Sequence, residues 1–247
     1  MAVGEGARSI RGDGASAVER YLVLVDISGY TSFLAGVEQT HGKDFRAGLP
    51  AGYPILDELL EGVVEALPPE FDVVKLEGDA VFGSAPIERL DGRGDAVLEH
   101  LVALYAGFAS RRTALRSAGD DTCVACTSVE HLDLKIVLHR GLAVTQRVAG
   151  REDLHGPAVI TAHRLLKNRV RDRIGYRPYV LVTTPAADGL HLGDRGFEHA
   201  ESYPDVGSVD GRILDLAELA GVAPAVPWPL SSGSAASGSL PKLHIVG

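Results

Sequence analysis

Residues able to do chemistry collect in four short segments. VDISGYTSF places Asp26 at the end of an apolar run with Gly29 close behind it, and KLEGDAVFG holds Lys75, Gly78 and Asp79. DLHGPAVITAHRLLKN holds Asp153, Gly156 and Arg164, and Cys123 and Cys126 stand in C-x-x-C spacing ahead of His131. The thiol pair with His131 could begin a zinc site, whose tetrahedral shell would need another donor such as His139 or an acid. It could equally be a redox pair or inert packing, and a single C-x-x-C leaves these readings open. Each of the other segments also has a local structural explanation. A carboxylate at a strand end caps the next helix, and Gly-Asp in a tight bend is turn chemistry. Arg164, Lys167 and Arg171 on one helix face would make a solvated stripe.

The elements that must position these residues are legible from periodicity. Tyr21–Ile27 is apolar and closes on a carboxylate region, which suits a buried central strand. Ile55, Leu56, Leu59, Leu60, Val63, Val64 and Leu67 recur at helical spacing up to Pro68 and Pro69, and Val97–Phe108 repeats that pattern. Asp72–Leu76 and Ala80–Gly83 read as a hairpin bent at Glu77, Gly78 and Asp79. Leu134–His139 reads as a strand with Gly141–Val148 as its partner. Val159–Val170 reads as a helix, and Tyr179–Thr183 and Gly211–Leu216 as strands. The order β-α-α-β-β-α-β-β-α-β predicts an α+β sandwich, a mostly antiparallel sheet with helices on one side.

The chain has 247 residues, 45% hydrophobic and 23% charged, which suits one domain with a substantial core. That domain is expected over residues 20–220. Residues 1–19 read as a flexible N-terminal tail, and residues 221–247, rich in Pro, Ser and Gly and carrying Trp228, read as a C-terminal tail. A net charge of −9 argues against a broad grip on nucleic acid or an anionic membrane. No apolar run approaches the ~20 residues needed to cross a bilayer, and the N-terminal region has no stretch of signal-peptide type. Two cysteines suit a reducing, cytoplasmic setting.

Taken together, the motifs resemble the class III nucleotidyl cyclase catalytic domain of adenylate and guanylate cyclases, from about Tyr21 to Leu216. DISGYT is similar to its D-I-x-G-F-T opening, KLEGD to its K-x-x-G-D hairpin, and LHRG to its strand-ending H-x-G. DLHGPAVITAHRL has the cadence of its D-x-x-G-x-x-V-N-x-A-x-R-L helix. EGDA, the C-x-x-C before the H-x-G strand and HRLLKN resemble more closely the bacterial DUF2652 branch of cyclase-like proteins.

The resemblance implies a ferredoxin-like or palm-like α/β sandwich of the nucleotide cyclase type. It implies an enzyme converting ATP to 3′,5′-cyclic AMP and pyrophosphate, a signalling activity. Asp26, Asp79 and the backbone carbonyl of Ile27 would hold two Mg²⁺ or Mn²⁺ ions per site, oxygen ligands suiting such hard cations. Lys75 and Asp153 would read the base. A donor-only lysine and an acceptor-only carboxylate match adenine N1 and N6, so ATP is favoured over GTP. Arg164 would stabilise charge on the α-phosphate. The sites would be composite, formed in a head-to-tail homodimer.

Two positions depart from the pattern. Ile160 stands where the family has a ribose-orienting Asn, and no Lys occurs in residues 195–207, where a triphosphate-binding Lys is expected. Arg169, Arg171 or Arg173 could take over the latter role. These departures imply a second reading, a catalytically inactive homologue acting as a nucleotide-binding or regulatory interaction domain.

Overall fold

The computed structural model describes residues 16–42, 46, 48–50, 52–148 and 151–228. Its centre is β1 (Ser16–Ser28), hydrogen-bonded on one side to β3 (Ala80–Pro86) and on the other to β4 (Asp133–Val148), both antiparallel. Tyr21, Val23, Val25 and Ile27 enter one core and Leu22 and Leu24 another, which explains why this run lacks polar alternation. Outward from β3 lies β2 (Asp72–Glu77). Outward from β4 come β6 (Tyr179–Thr183), β8 (Gly207–Asp215) and β7 (Phe197–Tyr203), while β5 (Arg151–His155) pairs with the far end of β4. Only the β4–β6 pairing is parallel among the described strand pairs.

Helices cover both faces, not one. Over the first face lie α1 (Tyr30–His41), α2 (Gly52–Glu65), α3 (Gly94–Ala118), α4 (Val124–Ser128), α7 (Thr184–Leu190) and α8 (Leu216–Ala220). On the opposite face α5 (Pro157–Leu165) packs Ala158, Ala162 and Leu165 against Leu22, Leu24 and Phe82. The element order alone does not reveal this, because the small residues of α5 carry a weak apolar signal.

Three local expectations change. Leu134–His139 and Gly141–Val148 are not partners but one continuous strand. Gly141 makes no turn; a Cβ there would lie 3.1 Å from the Ala158 Cβ, so this glycine lets α5 approach the sheet. The helix expected over Val159–Val170 stops at Leu165. Asn168 donates to the Leu165 carbonyl (2.6 Å) and accepts from the Val170 amide (3.0 Å), ending one helix and starting α6 (Val170–Ile174). Residues 222–228 do not extend away from the body: Ala225 is buried, and Val222 and Trp228 pack on the core. Residues 1–15 and 229–247 of the expected tails lie outside the described residues. No described helix is long and apolar enough to cross a membrane.

Candidate functional site

Asp26 and Asp79 converge because two elements end together. Asp26 lies near the end of β1, paired in register with Ala80 of β3 and Lys135 of β4. Gly78, in the left-handed region at φ 65°, lets the β2–β3 bend turn tightly. The Ile27 amide then donates to the Asp79 carbonyl (3.1 Å), fixing the bend against β1. Both carboxylates line a cavity of about 400 Å³, walled also by the first turn of α1, Lys135, Arg171, Tyr176 and Trp228.

Two carboxylates share this cavity with the charges of Lys135 and Arg171. Burial pushes the Asp26 carboxyl above its usual range against the pull of Lys135, and nearby Asp79 pushes it further. Burial raises Asp79 as well. The Lys135 ammonium lies 3.1 Å from Asp26 Oδ2, and the Arg171 guanidinium pulls on the same carboxyl more weakly. The donors are hard oxygens in a partly desolvated setting, chemistry that fits a divalent cation of the Mg²⁺ type. Among the described residues no group of three or more His, Cys, Asp and Glu could hold a metal ion. Further donors at Asp26 and Asp79 would therefore be backbone carbonyls, water or a ligand.

A second cleft of about 690 Å³ adjoins the first, and Asp26 and Lys135 line both. Into it face Lys75, Asp153, Ile160 and Arg164. Lys75 Nζ is 2.9 Å from Glu77 Oε1, and Glu77 Oε2 is 2.8 Å from His163 Nε2. Burial pushes Glu77 up, but Lys75 and His163 outweigh it and hold the carboxyl below its ordinary value. Lys75 is raised, chiefly by its hydrogen bond to Glu77. The nearest polar contacts of Asp153 are local: the Leu154 amide at 2.9 Å and His155 Nε2 at 3.6 Å. Arg164 bonds Asp205 Oδ2 through Nε (2.7 Å) and Nη2 (2.6 Å). Ile160 is 53% exposed and brings no polar atom to the cleft.

Asp79 and Lys75 thus open into different cavities, although a single bend carries both. Of the three arginines considered for the triphosphate, Arg171 alone lines the carboxylate cavity, with its guanidinium 4.3 Å from the Tyr176 ring centre. Arg169 turns to Glu201 and Arg173 to the Glu198 carbonyl.

The cysteine segment is separate. Cys123 and Cys126 form no disulfide and are in contact as thiols. Hydrogen bonds from Cys126 lower Cys123, while burial raises Cys126. His131 does not join them as a ligand. Its Nδ1 contacts the Val226 carbonyl at 2.8 Å, and its ring packs at a tilt against Trp228 with ring centres 4.6 Å apart. His139, the other candidate donor, is buried against Thr183 (3.0 Å), and burial pushes it down to about 4.

Sequence reasoning missed Lys135, Glu77, His163, Tyr176 and Trp228 as neighbours of the site. Lys135 left a readable signal, a lone charge inside an apolar strand. The Glu77–His163 contact joins EGDA to HRLLKN, which only the tertiary fold brings together.

Residues 56–174 match the family described as protein of unknown function DUF2652. An uncharacterized protein of Mycobacterium tuberculosis, Rv2561/Rv2562, is 30% identical over 174 residues, covering 69% of this chain and 77% of its own. The chain belongs to the DUF2652 family. Solved structures similar to the DUF2652 chain include cyclases. The guanylyl cyclase Cya2 superposes with a TM-score of 0.58 at 11% identity, covering 86% of this chain and 100% of its own. The adenylyl cyclase CyaB from P. aeruginosa gives 0.56 at 13% identity, covering 81% and 96%. A bacterial light-regulated adenylyl cyclase gives 0.53 at 16% identity; 81% of the DUF2652 chain matches 52% of that chain, about half its length. The DUF2652 chain therefore has a cyclase-like domain, with the mixed sheet-and-helix fold that its motifs imply.

Proposed function

We propose that this domain is an adenylate cyclase-like enzyme converting ATP to 3′,5′-cyclic AMP and pyrophosphate at composite sites of a homodimer. The observation that carries the reading is the convergence of Asp26 and Asp79 on one cavity beside the cleft of Lys75, Asp153 and Arg164. Asp26, Asp79 and the Ile27 carbonyl would hold Mg²⁺ or Mn²⁺, two ions per site. When bound, such ions activate a ribose 3′-hydroxyl and neutralise departing pyrophosphate.

The chain's own residues supply the rest. Lys75 donates to adenine N1 and Asp153 accepts from N6, a pairing that guanine reverses. Arg164 exchanges Asp205 for the α-phosphate, where it meets charge developing during transfer. Loss of one such preorganised donor costs about 10²–10³-fold in kcat. Arg171 and Lys135 supply positive charge to the phosphates in place of the missing late lysine. We assign the protein to the cytoplasm, with ATP as ligand and neither nucleic acid nor membrane as partner.

One arrangement favours the inactive nucleotide-binding homologue instead: Arg164 is doubly bonded to Asp205 while Ile160 leaves the ribose without a partner. Incubating purified protein with ATP and Mn²⁺ and weighing the products separates the readings. Cyclic AMP above a no-enzyme control, abolished by Asp79→Ala, supports the enzyme. Saturable ATP binding without turnover supports the inactive homologue.

A further inference from the structure

Trp228 is the only tryptophan of the chain, and it lies in a segment whose composition reads as a tail. It nevertheless lines the Asp26–Asp79 cavity. Residues 222–228 reach that position because a buried ion pair holds them. Arg112 and Asp133, 6% and 1% exposed, lie 3.3 Å apart in the core. Burying such a pair is unfavourable unless its remaining donors and acceptors are satisfied. The C-terminal segment supplies partners for both: Asp133 Oδ2 accepts from the Ala225 amide (2.7 Å), and Arg112 donates to the Ala223 carbonyl (3.3 Å). The Val226 amide donates to the Glu130 carbonyl (3.1 Å), and His131 contacts the Val226 carbonyl from the other side. The segment is a strap fastened along its length.

The end of the strap has a fitted seat. The Trp228 indole packs at a tilt against the His131 ring, and its Nε1 rests over Gly29. A Cβ at position 29 would fall 2.9 Å from both Trp228 Nε1 and the Tyr176 hydroxyl, and Gly29 itself sits at φ 93°. Glycine is thus required by the backbone and by the indole above it. Gly29 joins Asp26 and Ile27 to the first turn of α1, so the indole rests on the stretch of chain that shapes the cavity. It leaves the cavity open and contributes an apolar wall beside two carboxylates, Lys135 and Arg171. Low-dielectric walls of this kind concentrate the field of nearby charges on a bound ion.

We infer that Trp228 is a ligand-contacting residue of this cavity, carried there by the strap, and that it packs against a metal-bound polyphosphate. The inference rests on the proposed nucleotide reading for the class of ligand. The lone tryptophan makes it directly measurable, because all indole emission of the unmodified full chain comes from this wall. The probes are Mn²⁺ with inorganic tripolyphosphate, and Mn²⁺ with ATP, each followed by emission and by calorimetry. Paramagnetic Mn²⁺ is expected to quench Trp228 saturably, with the midpoint given by calorimetry, and Asp79→Ala is expected to remove the response. Trp228→Ala should weaken binding about tenfold, the size of one well-packed contact, and Trp228→Phe should restore most of it. Should Trp228→Ala fail to fold, wild-type emission and Trp228→Phe decide the matter. Binding seen by calorimetry with unchanged emission, or with unaltered affinity in Trp228→Ala, overturns this inference alone. Absence of any binding to wild type overturns it together with the nucleotide reading.

Discussion

At the scale of residues, one ammonium faces two carboxylates that burial drives toward protonation. Replacing Lys135 with methionine keeps the stem and removes the charge, leaving Asp26 without its ion-pair partner and with only the weaker pull of Arg171. We expect Lys135→Met to melt a few degrees lower in EDTA, as for the loss of a partly buried ion-pair partner. Added Mn²⁺ should then stabilise the variant more than wild type. Equal metal-induced shifts in the two proteins would contradict a shared cation position. In the neighbouring cleft, Lys75→Glu with Asp153→Cys reverses donor and acceptor, so preference should move from ATP toward GTP. Competition binding with both nucleotides reads this out, and unchanged selectivity removes both residues from base reading. The motif residues were legible because their turn and strand-end chemistry is local. Lys135, Glu77, His163 and Trp228 were not, since each acts across a strand register or between segments distant in sequence.

At the scale of elements, β4 is the spine that places Lys135 opposite Asp26 and seats α5 over Gly141. Gly141→Val would push its side chain into Ala158 and lift α5, the helix that carries Arg164. Overpacking of this kind costs about 1–3 kcal/mol, to be read by urea unfolding; an unchanged midpoint would show that α5 tolerates a larger separation. The same strand carries His139, held neutral by burial down to about pH 4, while the unfolded chain takes up its proton near 6.5. The unfolded state therefore binds more protons between those values, and stability rises with pH across the window. Acidification from pH 7 to 5 should withdraw about 2 kcal/mol through this ring. His139→Gln should flatten that slope, and an identical pH dependence in the variant would assign the slope to other groups. Central β1 and the hairpin were legible in sequence because their apolar runs and turn residues are local. Edge strand β7, with alternately exposed polar residues, gave no hydrophobic period to read. The continuity of β4 was masked by Gly141, a residue that marks a turn as often as a close approach.

At the scale of the molecule, the separation of Asp79 from Lys75 bears on assembly. Each chain offers a carboxylate cavity and the cleft of Lys75, Asp153 and Arg164 side by side, with Asp26 and Lys135 on their common wall. A twofold dimer would set the carboxylates of one chain against the Lys75, Asp153 and Arg164 of its partner, and twofold dimers are the commonest closed assembly. Composite catalysis of this kind predicts complementation between two dead proteins. Asp79→Ala and Arg164→Ala are each expected to be inactive alone. In the heterodimer one site carries both lesions and the other none, so each heterodimer should form cyclic AMP at about half the rate of a wild-type dimer, and an equal mix after random exchange at about a quarter. No recovery despite confirmed subunit exchange, or full activity from a strictly monomeric protein, would contradict it.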